Sequence, residues 1–91
     1  MAKARLTKEA REDLEDIFFE LSHYSDAYAK DWADDFFHQM ELLEKFPHLG
    51  KMVPKMQIRP LREILVGKYT VTYVASEDEV LVLAIRHSSR K

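Results

Sequence analysis

The sequence predicts an α+β domain: a short N-terminal strand, then an antiparallel helical hairpin packed on a small, mainly antiparallel sheet. Three observations predict it. Between residues 8 and 46, apolar side chains recur at intervals of three and four, the period of helices with one buried face. Beyond Pro47 the pattern changes to short apolar runs, parted by Gly67-Lys68 and by Ser76-Glu77-Asp78, which read as tight turns. The chain has 91 residues, the size of one domain spanning 1–91 with a single modest core.

Taken in order, Ala2–Leu6 can form a short strand. Thr7 can cap a helix, because its hydroxyl accepts a bond from a free N–H of the first turn. Glu9, Glu12 and Asp13 follow and suit the positive end of a helix dipole. Leu14, Ile17, Phe18 and Leu21 then mark a helix over about 8–23. Phe19 falls off that stripe, which leaves apolar surface for a partner. The stretch 22–26 loosens the chain, and Ser25 or Asp26 can cap the next helix, about 27–46. Tyr28, Trp32, Phe36, Met40 and Leu43 step along it by four or three, and Ala29, Ala33 and Phe37 widen the stripe. Lys30, Asp31, Asp34, Asp35 and Glu41 take the other side. The aromatic stripe reads as core, and the short link makes the two helices antiparallel neighbours.

Pro47, Gly50 and Pro54 end helical continuity, so 46–57 reads as a loop rich in Lys and Met. Leu61–Val66 is a strand closed by Gly67-Lys68. Tyr69–Ala75 is the next, with Tyr69, Val71, Tyr73 and Ala75 on one face and Thr70, Thr72 and Val74 on the other. Glu79–Arg86 is the last. It is apolar on both faces, as a strand at the centre of a covered sheet is. Consecutive strands with tight turns make an antiparallel meander.

Composition narrows the function classes. Apolar content is ordinary, charge is high, and no apolar run approaches membrane-spanning length. The first residues, MAKARLTKEAR, lack the apolar segment of a signal peptide, so the expected location is the cytoplasm. With no cysteine there is neither a disulfide framework nor a thiolate metal site. The four histidines lack metal-ligand spacing and no Gly-rich phosphate loop appears, so no metal or cofactor is expected. Residues 1–46 carry six Lys and Arg against twelve Asp and Glu, a net −6. Residues 47–91 carry eight against four, a net +4. That split reads either as two faces with different partners or as helices with well-solvated acidic surfaces. The chain ends in Arg86-His87-Ser88-Ser89-Arg90-Lys91, either a solubilising tail or the working end of the molecule.

Three stretches carry a resemblance: Phe46-Pro47-His48-Leu49-Gly50; residues 58–73, IRPLREILVGKYTVTY; and residues 82–90, VLAIRHSSR. Their order and spacing resemble the RelE/ParE superfamily of toxins from bacterial type II toxin–antitoxin (plasmid stabilisation) systems. The pattern is a Pro/Gly loop, an Arg-Glu strand, a Gly-x-Tyr-x-x-x-Tyr strand, and a final strand ending in His and Arg. The resemblance implies a helical hairpin on one face of a β-α-α-β-β-β sheet. It also implies one of two activities. RelE-like members cut messenger RNA in the ribosomal A site, and ParE-like members poison DNA gyrase. A fold common to both does not choose between them.

RNA cleavage without a metal requires a deprotonated ribose 2′-OH, cations on the phosphate and a protonated leaving oxygen. Under the RelE-like reading, a metal-independent endoribonuclease, Arg62, His87 and Arg90 would be catalytic, with Glu63 and the tyrosines as helpers. The plainer readings are a strand-surface pair for Arg62-Glu63, a strand-end histidine for His87, and cross-strand packing for Tyr69 and Tyr73. RelE-like nucleases usually carry an arginine directly after the tyrosine of the Gly-x-Tyr strand, and here Thr70 stands there. They also carry several lysines on the preceding strand and a tyrosine near the C-terminus, and both are missing here. An acidic chain also suits a ribosome binder poorly, since phosphate contacts dominate nucleic-acid affinity. The resemblance is therefore more ParE-like, with Arg86, His87, Arg90 and Lys91 as the target-binding surface. A third reading is a non-toxic relative that only binds. In each case the resemblance implies a cognate antitoxin with a disordered tail, meeting apolar surface around Phe19 and Trp32 on an acidic ground. Homodimers or toxin–antitoxin hetero-oligomers are the assemblies to expect.

Overall fold

A computed structural model describes residues 2–53 and 60–89. Strand β1 (Lys3–Leu6) leads into α1 (Lys8–Ser22) and α2 (Asp26–Lys45). Strands β2 (Lys51–Met52), β3 (Leu61–Val66), β4 (Tyr69–Ala75) and β5 (Glu79–His87) follow. The sheet runs β1-β5-β4-β3-β2. Strands β2 to β5 are antiparallel, and β1 lies parallel to β5 as an edge strand. The expected α+β order holds, and element ends differ from the expected ones by one residue at most. Strand β2 lies inside the stretch expected to be loop. Two residues carry no periodicity, and only pairing with Arg62 and Glu63 makes them a strand. Residues 54–57, Ile58 and Arg59 lie outside the described residues.

The caps form as the sequence suggests. The Thr7 hydroxyl accepts from the Ala10 N–H, and the Ser25 hydroxyl accepts from the Tyr28 N–H. Thr7 does more than cap. Its N–H donates to the Val82 carbonyl and its hydroxyl donates to the Leu83 carbonyl, so the start of α1 is pinned to β5.

The core lies between the hairpin and one face of the sheet. From α2 come Ala29, Trp32, Phe36, Met40 and Leu43; from α1, Ala10, Ile17 and Leu21. The sheet supplies Val66, Tyr69, Val71, Tyr73, Val80, Val82 and Ile85. Burying each large apolar side chain contributes about 1.5–3 kcal/mol. Trp32 stacks on Phe36 at 5.7 Å, and its ring N–H donates to the Val66 carbonyl at 3.0 Å, so its polar atom is satisfied.

Strand β5 explains its own apolar pattern. Thr72 pairs with Ala84 but Tyr73 pairs with Val82, so Leu83 is an extra residue, a β-bulge. The bulge inverts the alternation. Val80 and Val82 face the helices before it, and Ile85 faces them after it. Leu81, Leu83 and Ala84 are half-buried, so the strand is not covered equally on both sides. Apolar residues at mixed parity here report a bulge as well as a central strand.

Two edges are closed by helical carboxylates. Glu44 of α2 takes the Ala4 N–H on its side chain and the Ala2 N–H on its backbone carbonyl. Beyond Val82, β5 has no β1 partner, and Asp13 of α1 accepts the Ile85 N–H at 3.0 Å. An unpaired edge invites other chains, and these contacts remove the donors.

Candidate functional site

The working end was expected where β5 stops. Arg86 and His87 are adjacent in sequence but leave opposite faces of the strand. His87 pairs with Tyr69, whose ring is in the core, and so turns toward the helices. Arg86 pairs with Thr70 on the other face. The His87 and Tyr69 rings meet edge-on, 5.2 Å apart at 77°. His87 Nδ1 accepts the Ser89 N–H at 3.2 Å and lies 2.6 Å from the Ser89 hydroxyl, so the neutral ring carries its proton on Nε2. The Arg86 guanidinium bonds the Asp13 carboxylate, the same group that caps Ile85. Arg90 and Lys91 lie outside the described residues.

Arg62 stands elsewhere. Its Nη1 donates to the Gly50 carbonyl at 2.8 Å and to the His48 carbonyl at 3.2 Å. Tyr73, its cross-strand partner, holds the same loop: its hydroxyl accepts the Gly50 N–H at 2.7 Å and donates to the Pro47 carbonyl at 2.9 Å. Burial pushes the Tyr73 hydroxyl pKa up, against the smaller opposing effects of the Gly50 bond and the Arg62 charge. Measured along β4, Arg62 sits opposite Tyr73 and His87 opposite Tyr69. Four residues along the sheet and two strand spacings across it separate them by roughly 16 Å. Arg62 and His87 therefore do not converge on one bond. Glu63 pairs with Lys51 and Thr72 in the ladder.

The hairpin carries the second candidate surface. Phe19 is 68% exposed, whereas Trp32 is 4% exposed and bonded into the core. Trp32 thus offers no surface beside Phe19. Phe18 and Phe37 do: both are exposed, and with Leu14, Phe19 and Ala33 they line a groove of about 510 Å³ between the helices, with Glu15 on its wall. The sequence puts Phe37 and Phe18 on the apolar stripes of their helices, with the stripe of α2 read as core, but both are exposed. Phe36 and Phe37 are adjacent, a helix turns about 100° per residue, and the Trp32–Phe36–Met40 row fixes which one goes inside. Exposed Glu15, Asp31, Asp34 and Asp35 share these helices. No group of three His, Cys, Asp or Glu among the described residues is placed to hold a metal.

Three comparisons bear on this geometry. A family model described as the ParE toxin of type II toxin–antitoxin system, parDE, matches residues 4–91. A solved structure of the chromosomal ParDE toxin–antitoxin system from P. aeruginosa matches with a TM-score of 0.76 at 18% identity, covering 96% of each chain. The solution structure of the conserved hypothetical protein HP0894 from Helicobacter pylori matches at 18% identity with a TM-score of 0.49, covering 98% of this chain and 97% of that one. No curated protein matches.

Proposed function

Because the chain belongs to the ParE toxin family of type II toxin–antitoxin systems, we propose that it acts by binding and inhibiting DNA gyrase and that a cognate antitoxin neutralises it. One observation carries the choice of a binding poison over a nuclease. Two of the groups that cleavage would need stand apart: Arg62 is bound to two loop carbonyls, far from His87. A binding poison needs no such convergence, only an exposed surface. Arg86, exposed at the end of β5, and the basic Arg90 and Lys91 after it supply that surface in this reading.

The test is a supercoiling assay with purified gyrase, beside mapping of messenger-RNA ends in cells expressing the chain. Inhibited supercoiling with intact messages is the expected result. Codon-phased cuts with unaffected gyrase would replace this reading with the ribosome-dependent nuclease.

For the antitoxin, the groove of Phe18, Phe19 and Phe37 on an acidic hairpin suits a basic amphipathic segment that folds as it binds. Changing Phe19 and Phe37 together to Glu should weaken the antitoxin about 100-fold or more, the cost of losing two aromatic anchors. Unchanged affinity by calorimetry would move the antitoxin off this groove.

A further inference from the structure

A second cavity, of about 270 Å³, lies where the α1–α2 turn meets the β3–β4 turn. Tyr24 from that helical turn, Tyr28 from the first turn of α2 and Tyr69 from β4 line it, with Glu20, Lys68 and His87. A smaller cavity of about 170 Å³ adjoins it, shares Glu20, Tyr69 and His87, and adds Asp13 and Asp16 from α1. We propose that the tyrosine cavity receives an arginine side chain from a segment of a protein partner, its guanidinium lying on the tyrosine rings and bonded to the Glu20 carboxylate.

Several features select that occupant. At 270 Å³ the cavity is below the size usual for a drug-like ligand, about 300 Å³ upward, and suits a single side chain. Three of the residues that line it are tyrosines, whose ring faces attract a cation, and a planar guanidinium can both stack on such rings and fork onto a carboxylate. An ammonium is compact and strongly hydrated, and gains less from stacking. The field also points to a cation. Glu20 and Asp16 line the α1 side, while Arg86 is already paired with Asp13. Those carboxylates oppose nucleic-acid phosphates. Lys68 on the turn side can take a backbone carbonyl of the same segment. The inner wall is fixed in advance. Tyr69 is held edge-on by Trp32 at 5.4 Å and by His87 at 5.2 Å, and His87 by Ser89. A preformed wall lowers the ordering cost of binding. The inference concerns the occupant's chemistry and does not depend on gyrase being the target.

The experiment is an NMR titration of the full chain with the blocked peptide acetyl-Gly-Arg-Gly-amide. The same peptide with lysine, and with citrulline, which keeps the shape and drops the charge, serve as comparisons. Saturable shifts of the Tyr24, Tyr28 and Tyr69 ring signals are expected. Arginine should bind about fivefold tighter than either substitute, the scale of one exposed cation–π contact. Glu20→Gln and Tyr28→Ala should each weaken it by a similar factor at unchanged melting temperature, and Tyr28→Phe should retain it. The proposal is overturned by absence of saturable ring shifts, by equal binding of citrulline, by an indifferent Glu20→Gln, or by a uridine trinucleotide occupying the same rings more tightly.

Discussion

Arg62 and Tyr73 meet the loop after α2 from neighbouring strands, and between them they use the Pro47, His48 and Gly50 carbonyls and the Gly50 N–H. The residue type invited a catalytic reading, because a guanidinium is also what a phosphate needs. The geometry makes it a strut. Tyr73→Phe keeps the ring but leaves the buried Gly50 N–H without its acceptor, and should cost about 1–3 kcal/mol in denaturant unfolding. The pH dependence has a definite sign. The folded-state pKa of Tyr73 lies above its unfolded value near 10, so its contribution is complete below pH 10 and fades as pH rises through the folded-state value. Melting temperatures of the parent and Tyr73→Phe should therefore converge above pH 10. A constant gap would remove Tyr73 from the alkaline transition. Gly50 has a matching constraint: a Cβ there would lie 2.5 Å from the Tyr73 hydroxyl, so Gly50→Ala should also release the loop.

At the scale of elements, the β3–β4 hairpin depends on one residue. Gly67 has φ +60°, and no other described residue with a positive φ follows it in the turn. A positive φ at the first of two loop residues is what a type II′ hairpin asks of glycine. A Cβ at Gly67 would also lie 3.1 Å from Trp32 Cδ1. Gly67→Ala should destabilise by about 1–2 kcal/mol, lowering the melting temperature of a domain this size by roughly 4–16 °C. No change by calorimetry would mean that the turn can adopt another form. The sequence made this turn legible because Gly carries its own signal. It gave no sign of Glu44 capping Ala4 or of Asp13 capping Ile85, since partners 40 and 72 residues apart leave no local pattern. Asp13→Ala should speed hydrogen exchange at Ile85 while that at Val71, inside the sheet, stays slow. Equal protection at Ile85 would show that the carboxylate is not the effective cap.

For the whole molecule, the charge split follows the architecture. The acidic half forms β1 and the helical layer, and the basic half forms most of the sheet and the chain's last residues. Association of a basic antitoxin segment with the hairpin should therefore slow as salt is raised, because exposed charges are screened beyond about 10 Å at 0.1 M. A rate indifferent to salt in stopped-flow would leave the acidic layer without that role. The sequence by itself determined the order of the elements other than β2, both caps, the strand faces of β4 and the family, because each rests on local periodicity, capping chemistry or motif order. Tertiary structure alone decided three things: that Leu83 bulges and so turns His87 rather than Arg86 toward the helices, that Arg62 braces a loop, and that Phe37 rather than Trp32 is exposed beside Phe19. The physical reason is common to all three. A periodic pattern says that a side chain is apolar or charged, but which neighbour it meets is fixed by register between strands and by helix rotation against the sheet. One inserted residue or one 100° step reverses that outcome.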